Sequence, residues 1–438
     1  MGYTLHTYST AGSSTFNLSN YDFNTRLATT LTSGISGTGN FIYSGLGLLV
    51  LSADSTYVGN TSITGGTLQV GDGGTTGSLG TGNITVTSPG MLVFNRSNSY
   101  TLPGTISGTG TVEQAGSGTL DLNGGSHSAG LWILENGTIS NGTLAGNFSL
   151  HSGTIPAVLA DSGAVTTVTK STPGTVVLSG TNTYSGATAI SAGTLLVNGN
   201  SSGATGAVTV ASGATLGGNG TVGGAVTAQT GSTLNAGNGV GTLTTAGNVT
   251  LAAGSNLNWQ IKDATGSAGT TGWDLLAIGG ALDITATSQN PVKINLWSVL
   301  ANGSNGPVAN FNPTLSAYSW KLATATGGIT CGGSPCSGIG NYFQINTAPT
   351  NGTGGLISPY SVNGFTVSVS GNDLMLNYSP PIAQTLNGTN NGTEATSYTT
   401  QTSANSLTLN LGFFTDYLII GGGGGGGANS AAGGWIVW

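Results

Sequence analysis

Ionised side chains are almost missing from this 438-residue chain: Asp, Glu, Lys and Arg together supply 4%, against about 25% in an ordinary soluble domain. Six cations against thirteen anions leave a net charge of −7, so no basic surface exists to track a phosphate backbone, and nucleic acid is excluded as a partner. Cysteine occurs twice, too few for a four-ligand zinc site. Three histidines, His6, His127 and His151, stand far apart and form no H-x-x-x-H or H-E-x-x-H pair, so no metal site and no cofactor is expected. No window approaches the run of about 18 apolar residues that a membrane-spanning helix needs, so no transmembrane segment is expected. Helical i, i+3, i+4 periodicity is absent as well, because Gly or a β-branched residue interrupts each candidate window.

Glycine fills the space, with 79 residues, alongside Thr, Ser, Asn, Ala, Val and Leu, and hydrophobic residues reach 37%. That hydrophobicity predicts a folded chain rather than a disordered one. Short alternating segments such as 82–87, 207–210 and 247–251 place Val, Ile or Leu on one face and Thr on the other, each closed by a Gly, Ser or Asn turn. One stretch occurs twice: LSADSTYVGNTSITGGTLQV (51–70) returns ungapped as LSGTNTYSGATAISAGTLLV (178–197), with eleven of twenty positions identical. The copies continue as 84–94 and 208–218, with three residues fewer in the second connection. Kept strands and variable loops point to a solenoid, whose coils bury their apolar faces only against neighbours.

The pattern ISGTG, then L-S-G-x-N-T-Y-x-G-x-T-x-I, then G-T-L-x-V, resembles the autotransporter-associated β-strand repeat of secreted bacterial surface proteins. The segments at 257–286, 292–300, 317–329 and 365–380 look like the β domain that follows such repeats. The resemblance implies an all-β chain: a right-handed parallel β-solenoid, then a smaller β domain, with secretion and a surface or adhesive role. Residues 381–438 are too few for a membrane barrel, so export is expected to depend on another system or segment. The segment 416–427, with seven glycines at Gly421–Gly427, resembles glycine-rich modules of surface and tail-fibre proteins, in which a strand like 2–18 precedes it. A strand exchange between subunits would use Tyr3, Leu5 and Tyr8 at one end and Leu407, Leu409, Leu411, Tyr417, Leu418, Ile419, Ile420, Trp435 and Trp438 at the other.

The expected divisions are a cap at 1–34, solenoid repeats at 35–255, a β domain at 256–380, a polar connector at 381–406 and a strand with a polyglycine tail at 407–438. Each coil should hold roughly twenty to twenty-five residues stacked about 4.8 Å apart. Cys331 and Cys336, in CGGSPC, are expected to form a local disulfide outside the cell. Asp263, Asp274 and Asp283, with Lys262, are the densest acidic group and could in principle serve a polysaccharide-active enzyme; a turn or strand-end role is the simpler reading. Asp54, Asp72, Asp121, Asp161, Arg96 and Lys170 are too spread to form a catalytic set, and the histidines are expected in solvated turns. Tyr57 and Tyr184 occupy the same repeat position and should share a structural role at a coil corner, while Trp259, Trp273, Trp297 and Trp320 should pack a core.

Together these readings predict a non-enzymatic extracellular or cell-surface structural protein, a head-to-tail homopolymer forming a filament or sheath. The alternatives are an adhesin that binds a cell surface or glycan, and a β-helix enzyme.

Overall fold

A computed structural model describes residues 16–18, 21–23, 28–161, 163–314, 316–350, 353–357, 364–380, 383–390, 394–403 and 406–409. The chain divides into two compact units, Met1–Tyr378 and Ser379–Trp438. Among the described residues nearly all regular structure is β, with one short 3-10 turn at Ile339–Tyr342.

The first unit is a parallel β-solenoid whose coils visit three faces in turn. Face one is the longest ladder, running from Thr29–Leu31 through Leu48–Leu51, Thr67–Val70, Met91–Phe94 and Thr111–Gln114 to Ile329–Cys331. Face two carries an eleven-stranded sheet from Tyr100–Thr101 to Phe343–Asn346. Face three begins with the ladder from Tyr21–Phe23 to Ile106–Ser107 and continues later as Asn200–Ser201 through Tyr318–Ala325. Between these, Ser126–Leu134 and Thr143–Leu150 are long enough to serve faces three and one with a single strand.

Coil length is set by in-register partners. Twenty residues separate Leu92 from Val112 and Val112 from Trp132; sixteen separate Trp132 from Phe148; twenty again separate Phe148, Val168, Thr188 and Val208. The ladder crosses residue 255, where the sequence suggests a boundary, without a break: Val249 pairs with Leu282 and Leu282 with Ile329, the extra length going into loops. Parallel pairing likewise reaches back past residue 35 to Phe16–Leu18 and Tyr21–Phe23.

The alternation seen in the sequence is the inside–outside pattern of the coils. On face two Val176, Leu195, Leu216, Leu234, Leu257 and Ile294 stack inward in register and are all buried. Each fully buried side chain of this size contributes about 1.5–3 kcal/mol, and a single coil has too few to fold alone. At the far end two faces stop on antiparallel hairpins: Asp373–Tyr378 and Phe365–Ser370 cover Tyr318–Ala325, and Ser334–Pro335 folds back on Ile329–Cys331. Near this end Trp320, Phe311, Tyr318, Phe365 and Tyr378 pack ring against ring, and Trp259 lies beside Trp320.

The second unit contains an antiparallel sheet of Ala383–Asn390, Glu394–Ser403 and Ser406–Leu409. The stretch read as a polar connector therefore holds strands, as its density of Thr favours.

Candidate binding surface

The duplicated motif reads directly as coil geometry. Ser55 and Asn182 are buried equivalents whose side-chain oxygens accept backbone N–H groups from the previous coil, Ile35 at 3.3 Å and Leu159 at 2.9 Å. Two residues on, the Tyr57 hydroxyl meets Thr61 Oγ1 at 2.5 Å and the Tyr184 hydroxyl meets Thr188 Oγ1 at 2.8 Å. The shared corner role expected of these tyrosines is what the structure contains. Gly59 and Gly186 follow because a Cβ there would lie 2.2 Å and 2.1 Å from carbonyl oxygens of the neighbouring coil. Gly66 and Gly193 adopt φ of +55° and +67°, the left-handed turn that precedes Thr-Leu.

Beneath each of the left-handed turns at Gly66, Gly137 and Gly193 sits a buried donor. The Tyr43 hydroxyl donates to the Gly47 carbonyl at 2.7 Å, and Gln114 Nε2 donates to Gly116 and Gly118 carbonyls at 2.8 and 3.2 Å. Lys170 Nζ fills the equivalent place, donating to the Thr172 carbonyl and, at 3.3 Å, to that of Ala192. Burial pulls the Lys170 amine below its ordinary pKa. Three chemically different side chains thus satisfy the same inward carbonyls, which would otherwise be buried unpaired.

The two motif copies do not occupy the same faces. The first runs from Leu48–Leu51 on face one, through Thr61–Ile63 on face three, to Thr67–Val70 on face one. The second starts on Thr175–Leu178 of face two, passes Thr188–Ile190 on face one and ends on Thr194–Val197 of face two. The unit has advanced by one face, which is possible because each face asks for the same inward apolar and outward polar alternation.

Outside, the coils present ladders of neutral polar groups. Ser149, Thr169, Thr209, Thr227 and Thr250 stand in register along face one, with Ala189 as the one apolar rung between Thr169 and Thr209. At a corner, Asn40 and Asn60 Oδ1 accept the amides of Asn60 and Asn83 at 2.9 and 3.0 Å. Such a surface offers repeated donors and acceptors at the coil spacing and almost no net field.

The acidic group does not assemble as a catalytic pair. Asp274 is fully buried, accepting the amides of Gly241 and Gln260 at 2.9 and 2.8 Å, and burial pushes its carboxyl well above the usual range. Asp263 is held in its turn by Thr265 and Asn310, and Asp283 by the Thr330 hydroxyl and the Gly333 amide. Cys331 and Cys336 are joined in a disulfide. Among the histidines, His127 is a correction: it is buried within Ser126–Leu134, accepting from the Ile106 amide through Nδ1 and bonded to the Leu122 carbonyl through Nε2 at 3.0 Å each. A strand position with two backbone partners replaces the solvated turn expected of it.

Sequence reading passed over a polar cluster on face one. His151 Nε2 lies 3.1 Å from Ser149 Oγ, and His151 Nδ1 meets Glu135 Oε2. Of the residues named for strand exchange, Leu407 and Leu409 fall in the strand Ser406–Leu409. Tyr3, Leu5, Tyr8, Leu411, Tyr417, Leu418, Ile419, Ile420, Trp435 and Trp438 lie outside the described residues, as does His6.

The family model of the Passenger-associated-transport-repeat matches residues 41–70, 112–145 and 168–197. Each matched stretch opens on the strand that carries one of the buried donors, Tyr43, Gln114 or Lys170. The chain carries passenger-type repeats. It is also similar to the Adhesin BmaC autotransporter of Brucella suis biovar 1 (strain 1330), 43% identical over 70 residues that cover 13% of this chain and 2% of that protein. This chain therefore matches only about 2% of the length of that curated relative. Passenger repeats and the adhesin similarity place the chain at the cell surface or outside the cell. Among the described residues no helix is long and apolar enough to cross a membrane.

Proposed function

We propose that this chain is an adhesin-type surface scaffold whose main role is to hold neutral polar ladders out to a cell surface or glycan, and not to turn over a substrate. The observation that carries the reading is the coincidence of passenger-type repeats with outward ladders such as Thr169, Thr209 and Thr227, in which Ala189 is the one apolar rung. A neutral polyhydroxyl ligand can exchange its water hydrogen bonds for those of hydroxyls and amides without the desolvation cost that ionised groups would impose. The test is display of residues 28–378 on a non-adherent bacterium, with attachment to epithelial cells and to a glycan array as the readout. The reading expects attachment that falls when Thr169, Thr209 and Thr227 are together replaced by Lys. Attachment no greater than that of the undecorated bacterium would sink it.

A homopolymeric filament is the second reading. It is favoured by the outermost strand of face two, Phe343–Asn346, which ends its ladder with no further partner strand among the described residues, and by the scarcity of charge to guard such an edge. The hairpins that close the other two faces act against strand-on-strand continuation there. Negative-stain images of purified protein distinguish the two: filaments support polymerisation, and uniform single particles oppose it.

A further inference from the structure

We propose that Ser149, His151 and Glu135 form a nucleophilic acyl-transfer site on the outer surface of the solenoid, acting on small, neutral acyl esters such as the O-acetyl group of a sugar. The proposal goes beyond the adhesive reading, and neither depends on the other.

Phe148 and Leu150 point into the core, so Ser149 and His151, which alternate with them, both face outward. Ile133 pairs with Ser149 and Leu134 with Leu150, which sets Glu135 one coil beneath His151. The result is a hydroxyl 3.1 Å from His151 Nε2 and a carboxylate oxygen of Glu135 on His151 Nδ1. A carboxylate at Nδ1 holds the proton there and leaves the Nε2 lone pair directed at the serine, the base-and-orienter arrangement that activates a weak nucleophile. An ordinary surface ion pair would need only the His151–Glu135 contact. The serine on the other ring nitrogen is the additional fact.

The surroundings select the substrate. Ile133 flanks Ser149 on one side and Thr169 stands in register on the other, with exposed Ser171 beyond. The titratable groups facing the imidazole are Glu135 and, further down the face, Glu113, whose carboxyl is raised by burial and by Glu135. Lys170, between Thr169 and Ser171, is turned inward. Two carboxylates repel an anionic substrate, and an open strip without walls holds only a small acyl group against Ile133. The Thr169 hydroxyl is the donor that the ladder offers to a developing oxyanion.

In the first step Ser149 Oγ bonds to the acyl carbonyl carbon and its proton passes to His151 Nε2. The carbon–oxygen bond to the sugar then breaks, the sugar oxygen taking that proton. Water, giving its proton to Nε2, attacks the acyl-serine; the acid leaves and Ser149 regains its proton. Ser149 and His151 are the catalytic residues, and Glu135 is a positioning residue.

The test treats the full chain with a fluorophosphonate probe and with p-nitrophenyl acetate, locating the adduct by peptide mass spectrometry. The adduct is expected on Ser149, absent in Ser149→Ala, and formed about a hundredfold or more slowly in His151→Asn. Glu135→Gln should slow labelling of Ser149, and Glu135→Asp should restore part of the rate, which a merely structural role would not do. Melting curves by circular dichroism control for folding. Ser149→Cys gives a second readout: both native cysteines are in the disulfide, so the new thiol is free, and its alkylation by iodoacetamide at neutral pH should be faster than in Ser149→Cys/His151→Asn. No adduct on Ser149, or equal alkylation rates in those two cysteine variants, overturns the proposal.

Discussion

The passenger repeat is a set of solutions to one local problem, the close stacking of backbone on backbone. Tyr57 and Tyr184 each close a corner by reaching a threonine four residues on. Phe at either position should therefore cost about 0.5–1.5 kcal/mol, and the two losses should agree in urea-denaturation midpoints. Lys170 is the residue whose role is least legible in sequence, since a lysine reads as a solvated side chain and here replaces Tyr43 and Gln114 as a buried donor. Lys170→Gln should leave stability close to wild type, whereas Lys170→Met strands carbonyls and should cost about 1–3 kcal/mol. The pH dependence has a definite sign. Burial lowers the folded-state pKa of Lys170 below the 10.5 of the unfolded chain. The cost of burying the ammonium is complete below the folded pKa and fades as pH rises from there to 10.5. Wild type should gain stability relative to Lys170→Gln across that alkaline window, as read by melts of both proteins at matched pH.

At the scale of strands and turns, much was open to reading. Alternation in 82–87, 207–210 and 247–251 gave strands at Ile84–Val86, Val208–Val210 and Val249–Ala252. Hidden from it was the phase of the repeat, because a strand that suits one face suits all three, and only the summed coil lengths decide which face the second copy reaches. The cluster at Ser149 was hidden for the same reason. Glu135 and His151 become neighbours only because the coil between Trp132 and Phe148 is shortened to sixteen residues. The turn before Thr-Leu tests this level. At Gly193 an added Cβ would sit 2.3 Å from the Thr172 carbonyl oxygen, at a φ that already disfavours side chains. Gly193→Ala should destabilise the solenoid by about 1–2 kcal/mol from the left-handed backbone alone, with the clash adding to it. Ala substituted at Gly213, which has no atom within 4 Å of the added Cβ, bears only the backbone term, so thermal melts should rank Gly193→Ala lower.

In the whole first unit, one parallel stack runs through both the matched repeats and the region after residue 255. That continuity was not legible, because the coils there lengthen and aromatic residues gather, which looks like a change of domain. Strand register tests it most directly. Thr244 and Ala277 face outward in adjacent coils as in-register partners. Neighbouring strands lie about 4.8 Å apart, within the Cα separation that a disulfide spans. The double variant Thr244→Cys/Ala277→Cys should form a cross-link under mild oxidation, seen as a linked peptide by mass spectrometry, with melting behaviour retained. A pair displaced by one coil, Thr221→Cys/Ala277→Cys, should not. Cross-linking of the displaced pair, or free thiols in the in-register pair, would contradict a continuous solenoid.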